Sequence, residues 1–171
     1  MWLAEMGLSE YIGPSWRGQF ARVLRWHKRV RDLGAAFGAT DGMSPFDYLY
    51  AFFQNCYHLR DFLKNSNAVT QASLDAFMNA TPAMALCRQI ANGTKHLTLD
   101  PSRTKLDVLP SIGREYHPAG WPGKRAGTNE EYFILIEEPS TGEVQRFDLQ
   151  NLSDECVEAW TGFLRNEHLL V

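Results

Sequence analysis

The chain has 171 residues, 44% of them hydrophobic and 22% charged, with a net charge of −3. That profile fits one globular domain with a full core and excludes a disordered or collagen-like chain. The small negative balance also excludes a global basic field, so contact with nucleic acid requires a local patch.

Cys56, Cys87 and Cys156 form an odd set with no C-x-x-C pair, and two of them fall on apolar helix faces. They read as reduced core cysteines of a cytosolic protein. The opening MWLAEMGLSE has neither a basic n-region nor an apolar h-region, so no signal peptide is expected. No apolar run approaches the roughly 18 residues of a spanning helix, so no membrane partner is expected.

Residues 1–15 read as a short amphipathic piece ending at Gly13-Pro14. Ser15 is a plausible N-cap for a long helix from Trp16 to about Phe37. Phe20, Val23, Val30, Gly34 and Phe37 repeat at helical spacing, and the opposite face gathers Arg22, Arg25, Lys28 and Arg29, with Arg17 and Arg31 nearby. Such a face is either a solvated surface or a phosphate-contacting one. His27 falls on the apolar side and reads as a hydrogen-bonded core histidine.

Gly38–Ser44 reads as a turn. Ser44-Pro45 opens a second helix, Phe46 to about Lys64, whose broad apolar arc (Phe46, Leu49, Phe52, Phe53, Cys56, Leu59, Leu63) predicts burial on much of its circumference. Arg60 lies inside that arc and must be paired or face a cleft. Gln54, His58, Asp61 and Asn65 share the remaining face. A short helix follows at Gln71–Asn79.

The next helix begins at Thr81-Pro82, a cap-then-proline start, and is expected to carry the segment TPAMALCRQIANGTKHLTL. Ala83, Leu86, Cys87, Ile90 and Leu97 share its apolar face. Arg88, Asn92, Lys95 and His96 gather opposite, beside a Gly93 that a helix would replace with alanine. Beyond it, Leu97–Leu99 and Thr104–Leu109 read as short strands. Gly113–Asn129 reads as a long surface loop, and its GWPGK lacks the G-x-x-x-x-G-K-S/T spacing of a P-loop. Glu131–Glu138 and Glu143–Leu149 flank Pro139–Gly142 as a β-hairpin. Ser153 is the expected cap of a last helix, Asp154 to about Asn166.

These elements predict a single α+β, mainly helical domain. A four-helix antiparallel bundle (16–97) is followed by a small antiparallel β element with a long loop (98–152) and a C-terminal helix (153–168).

No serine-hydrolase, zinc-protease or dinucleotide fingerprint is present. The polar strip supports phosphodiester chemistry: His96 for proton transfer, Arg88, Lys95 and Arg60 to hold phosphate, Asn92 to orient. No metal or other cofactor is required if a ribose hydroxyl is the nucleophile. A helical bundle with this Asn92…His96 pair resembles the HEPN superfamily, whose signature is an Arg, a polar residue, then a His. Ala91 stands where that family has its arginine, and Arg88 lies one turn earlier. The resemblance implies an RNA-binding protein or metal-independent ribonuclease of a defence or toxin–antitoxin system, with the basic face Arg22, Arg25, Lys28 and Arg29 as added RNA surface. FFQNCYHLRDFLK and CRQIANGTKHLTL are also similar to helical bacterial proteins of uncharacterised type. The alternative is a non-catalytic module with a protein partner or a second copy of itself. A third reading places a divalent metal on His58, Asp61 and His96.

Overall fold

The computed structural model describes residues 15–33, 43–95, 111–117, 130–137 and 141–170, with Thr94, Lys95 and Ser111 described by backbone alone. Helix α1 (Trp16–Arg31) starts where Ser15 Oγ accepts from Gly18 N at 3.0 Å. It was expected to reach Phe37, but Asp32 caps it after Arg31, its N–H bonded to the Lys28 carbonyl at 3.1 Å. An aspartate at a helix C-terminus opposes the dipole and favours a stop there. Gly34 and Phe37 lie outside the described residues.

Helix α2 (Pro45–Asn65) opens with a capping box: Ser44 Oγ accepts from Phe46 N at 3.3 Å and Asp47 returns a bond to Ser44 N at 3.0 Å. Its seven buried residues, Tyr48, Leu49, Phe52, Phe53, Cys56, Leu59 and Leu63, make it the central element. Helix α3 (Gln71–Ala80) is capped by Thr70, whose side chain accepts from Ser73 N at 3.1 Å. Thr81 both ends α3 and starts α4 (Pro82–Lys95), accepting from Ala85 N at 3.1 Å. Ala83, Met84, Cys87, Ile90 and Ala91 form the buried side of α4.

Strand β1 (Ser111–Tyr116) falls partly in the expected long loop. Its glycine and charges imitate a loop, but it pairs antiparallel with β2 (Glu130–Glu137), and β2 pairs antiparallel with β3 (Val144–Asp148), giving sheet order β1-β2-β3. Gly113 faces Phe133 across the ladder, and a Cβ there would come within 2.5 Å of the Phe133 ring. The glycine therefore admits the ring rather than loosening a loop. The expected hairpin is present, its first strand one residue earlier than read and its second shorter by one residue at each end, and Gly142 in its turn has φ +69°, a left-handed conformation suited to glycine. The expected strands 97–99 and 104–109, and residues 118–129, lie outside the described residues.

Helix α5 (Leu149–Asn166) follows β3 directly. Its cap is Asp148, accepting from Asn151 N at 2.7 Å, and not Ser153. Ser153 is buried inside the helix, its hydroxyl donating to Gln150 O at 2.7 Å. Cys156, Trp160 and Leu164 then face α1, α2 and α4, so α5 completes the bundle core, and α3 leans on it through Phe77, 4.8 Å from Trp160 and 4.4 Å from Phe163 between ring centroids. Tyr132 and Ile134 of β2 seal the core from the sheet side. No described helix is long and apolar enough to cross a membrane.

Candidate nucleic-acid interface and a buried cysteine triad

Helix α1 carries six cations and no acid: Arg17, Arg22, Arg25, Lys28, Arg29 and Arg31. All six are exposed, because Phe20, Val23, Val30 and their neighbours commit the other side of the helix to the core. Lys28 meets Asp32 at 2.7 Å and Arg31 lies 3.8 Å from Asp154. Among the described residues, Arg17, Arg22, Arg25 and Arg29 meet no carboxylate. Three of them are nevertheless held: Arg17 lies over the Trp16 ring at 4.5 Å, Arg29 over Trp26 at 4.8 Å, and Arg22 donates to Gln19 Oε1 at 3.2 Å. Gln19 is in turn fixed to α2 by a 2.8 Å bond to the Asn55 carbonyl. The result is a set of exposed guanidinium groups that meet no carboxylate among the described residues, three of them oriented.

The expected catalytic strip is less complete. Arg88 is exposed on α4 and Asn92 is half-buried there, while Lys95 has only its backbone described and His96 lies outside the described residues. Arg60 engages α3 and its own helix: it donates to Tyr57 Oη at 3.1 Å and lies 3.9 Å from Asp75 Oδ1. Its Nε is buried without a hydrogen-bond partner among the described residues. His58 packs on the Tyr57 ring, with centroids 6.4 Å apart, and Asp61 is exposed. The described residues thus do not assemble His58 and Asp61 with a third donor.

His27 is the hydrogen-bonded core histidine expected. Its Nε2 lies 2.6 Å from Asp154 Oδ1, tying α1 to α5, and its ring packs against Phe52.

Two clusters escaped the sequence reading. On the outer face of the sheet, His117 Nε2 lies 3.2 Å from Glu131 and 3.8 Å from Glu115. Arg146 already places its guanidinium 2.6 Å from Glu115 and 3.3 Å from Glu131, over the Phe133 ring at 3.8 Å. That arginine supplies the positive charge a metal would bring. The cluster depends on β1 being a strand, which its composition concealed.

The second cluster lies in the core. Cys56 from α2, Cys87 from α4 and Cys156 from α5 place their sulfurs within 4.8 Å of one another. All three are free thiols with no solvent exposure. Hydrogen bonds circulate around them: Cys87 Sγ to the Phe53 carbonyl at 3.5 Å, Cys156 Sγ to the Ala83 carbonyl at 3.5 Å, and Trp160 Nε1 to the Cys56 carbonyl at 3.2 Å. Burial opposes ionisation at Cys56, while the neighbouring Cys156, Cys87 and Trp160 and the nearby His27 favour it, and the balance lowers its pKa. Burial and the Cys56 charge raise Cys87, while the bond and charge at Cys56 raise Cys156. Separations of 31 and 69 positions in the sequence carry no signal of such a meeting.

Comparison with protein-family models, characterised proteins and solved structures gives no match.

Proposed function

We propose that the protein is an RNA-binding module whose contact surface is the cationic face of α1. The supporting observation is the set Arg17, Arg22, Arg25 and Arg29, exposed and free of carboxylates among the described residues, with Arg17, Arg29 and Arg22 oriented by Trp16, Trp26 and Gln19. From the first to the last arginine the helix rises about 18 Å. That matches about five steps of a nucleic-acid backbone at 3.4 Å per step. The choice of RNA over other polyanions rests on the resemblance of the Asn92…His96 helix to HEPN domains.

Four phosphate contacts on a single strand predict a salt slope, log K against log [salt], of about −3. Affinity then falls roughly 50-fold between 50 and 200 mM salt. Fluorescence anisotropy with a labelled single-stranded RNA measures this. In the Arg17→Ala, Arg22→Ala, Arg25→Ala, Arg29→Ala quadruple variant the slope should approach zero. Equal binding by wild type and variant, or no binding at 50 mM salt, sinks the proposal. RNA cut by the wild type and left intact by His96→Ala extends the reading to a ribonuclease. RNA bound and recovered whole confines it to binding.

A further inference from the structure

We propose that Cys56, Cys87 and Cys156 form a three-thiolate site for a soft metal ion of the zinc or cuprous class, held in the bundle core. The proposal is independent of the RNA surface.

The geometry carries it. Three thiolates around an ion at about 2.3 Å place their sulfurs about 4.0 Å apart in a trigonal array. The triad, with its sulfurs within 4.8 Å of one another, needs to close by less than 1 Å per pair. Side-chain rotation supplies that without moving a helix. The donor set is all sulfur, which selects soft ions over magnesium or calcium. The sulfurs come from three helices, so each is positioned by a rigid element and the ion would join α2, α4 and α5.

Charge narrows the choice. Three thiolates with a monovalent ion leave two negative charges in a dry core, and with a divalent ion only one. His27, held by Asp154 on the α1–α5 seam, is the neighbouring side chain that bears on Cys56. The divalent ion is therefore the better-balanced occupant.

Binding forms three metal–sulfur bonds and breaks the remaining S–H bonds, with the protons passing to solvent. No electron is transferred. Each thiol still protonated gives up its proton on binding, so affinity rises with pH. His27 and Asp154 are the neighbouring titratable groups, and the His27→Gln variant checks that the rise belongs to the thiols.

The experiment uses the full chain, reduced and stripped with a chelator. Cd²⁺ is titrated while the ultraviolet sulfur-to-metal charge-transfer band is followed. Zn²⁺ and Cu⁺ are each competed against an indicator of known affinity. The expected result is one ion per chain, a raised Tm, and at least a 100-fold loss in each of Cys56→Ala, Cys87→Ala and Cys156→Ala. Circular dichroism confirms that the variants fold. X-ray absorption on the wild-type zinc complex gives a reading that needs no variant: about three sulfur neighbours near 2.3 Å are expected. A shell of nitrogen and oxygen, or a folded reduced chain that takes up neither class of ion, overturns the site. Tighter binding of Cu⁺ than of Zn²⁺ keeps the triad and overturns the charge argument.

Discussion

Helix α1 and the β2–β3–α5 unit share one core and present opposite charge. The helix exposes six cations, whereas the C-terminal unit exposes Glu137, Glu143, Glu155 and Glu158. A net charge of −3 therefore hides a local imbalance, and the field absent from the whole molecule is present on one helix. Asp154 is the seam between the two regions, reaching from α5 to His27 and Arg31 of α1.

The comparison breaks most completely if α5 is released. Trp160 is fully buried, touching Phe77 and Phe163 and bonded to the α2 backbone. Trp160→Ala should cost about 3–5 kcal/mol, measured by urea unfolding. An unchanged midpoint would mean that α5 is not part of the cooperative core.

The next largest effect is on binding. The quadruple arginine variant should lose RNA, while Glu137→Gln, Glu143→Gln, Glu155→Gln and Glu158→Gln together should leave binding equal or slightly stronger. Loss in the glutamine variant would place RNA on the wrong region. Asp154→Ala should destabilise by about 1–3 kcal/mol, because His27, mostly buried, is left without its carboxylate. A shift confined to Arg31 chemistry, with stability unchanged, would deny the seam its role. Lys28→Ala should move stability by less than about 0.5 kcal/mol, since its pair with Asp32 is solvent-exposed. A larger loss would show that the α1 terminus depends on that pair.

Local chemistry made most helices legible. Ser44-Pro45 announces α2, Thr81-Pro82 marks the α3–α4 joint, and the apolar arc of α2 states its central place before any neighbour is known. His27 was legible for the same reason: a polar ring on an apolar face needs a partner, although Asp154 could not be named. The sheet was harder. Gly113, Arg114 and Glu115 have loop composition, and only the Phe133 ring lying against Gly113 explains why they form a strand. The start of α5 was misplaced because Asp148 and Ser153 are equally good caps in isolation, and the continuation from β3 decides between them. The cysteine triad was illegible in principle, since three helix packings must be known before residues 56, 87 and 156 can meet.

The sealing of those sulfurs has a kinetic consequence. A group with no exposed atom cannot be reached on the closed fold, so any reagent or ion must wait for the packing around the sulfurs to open. Where reclosing is fast, the rate of thiol alkylation in the native protein reports the equilibrium between closed and open bundle. Where reclosing is slow, it reports opening itself. The triad is thus a built-in clock for the breathing of the core, readable whether or not a metal ever enters.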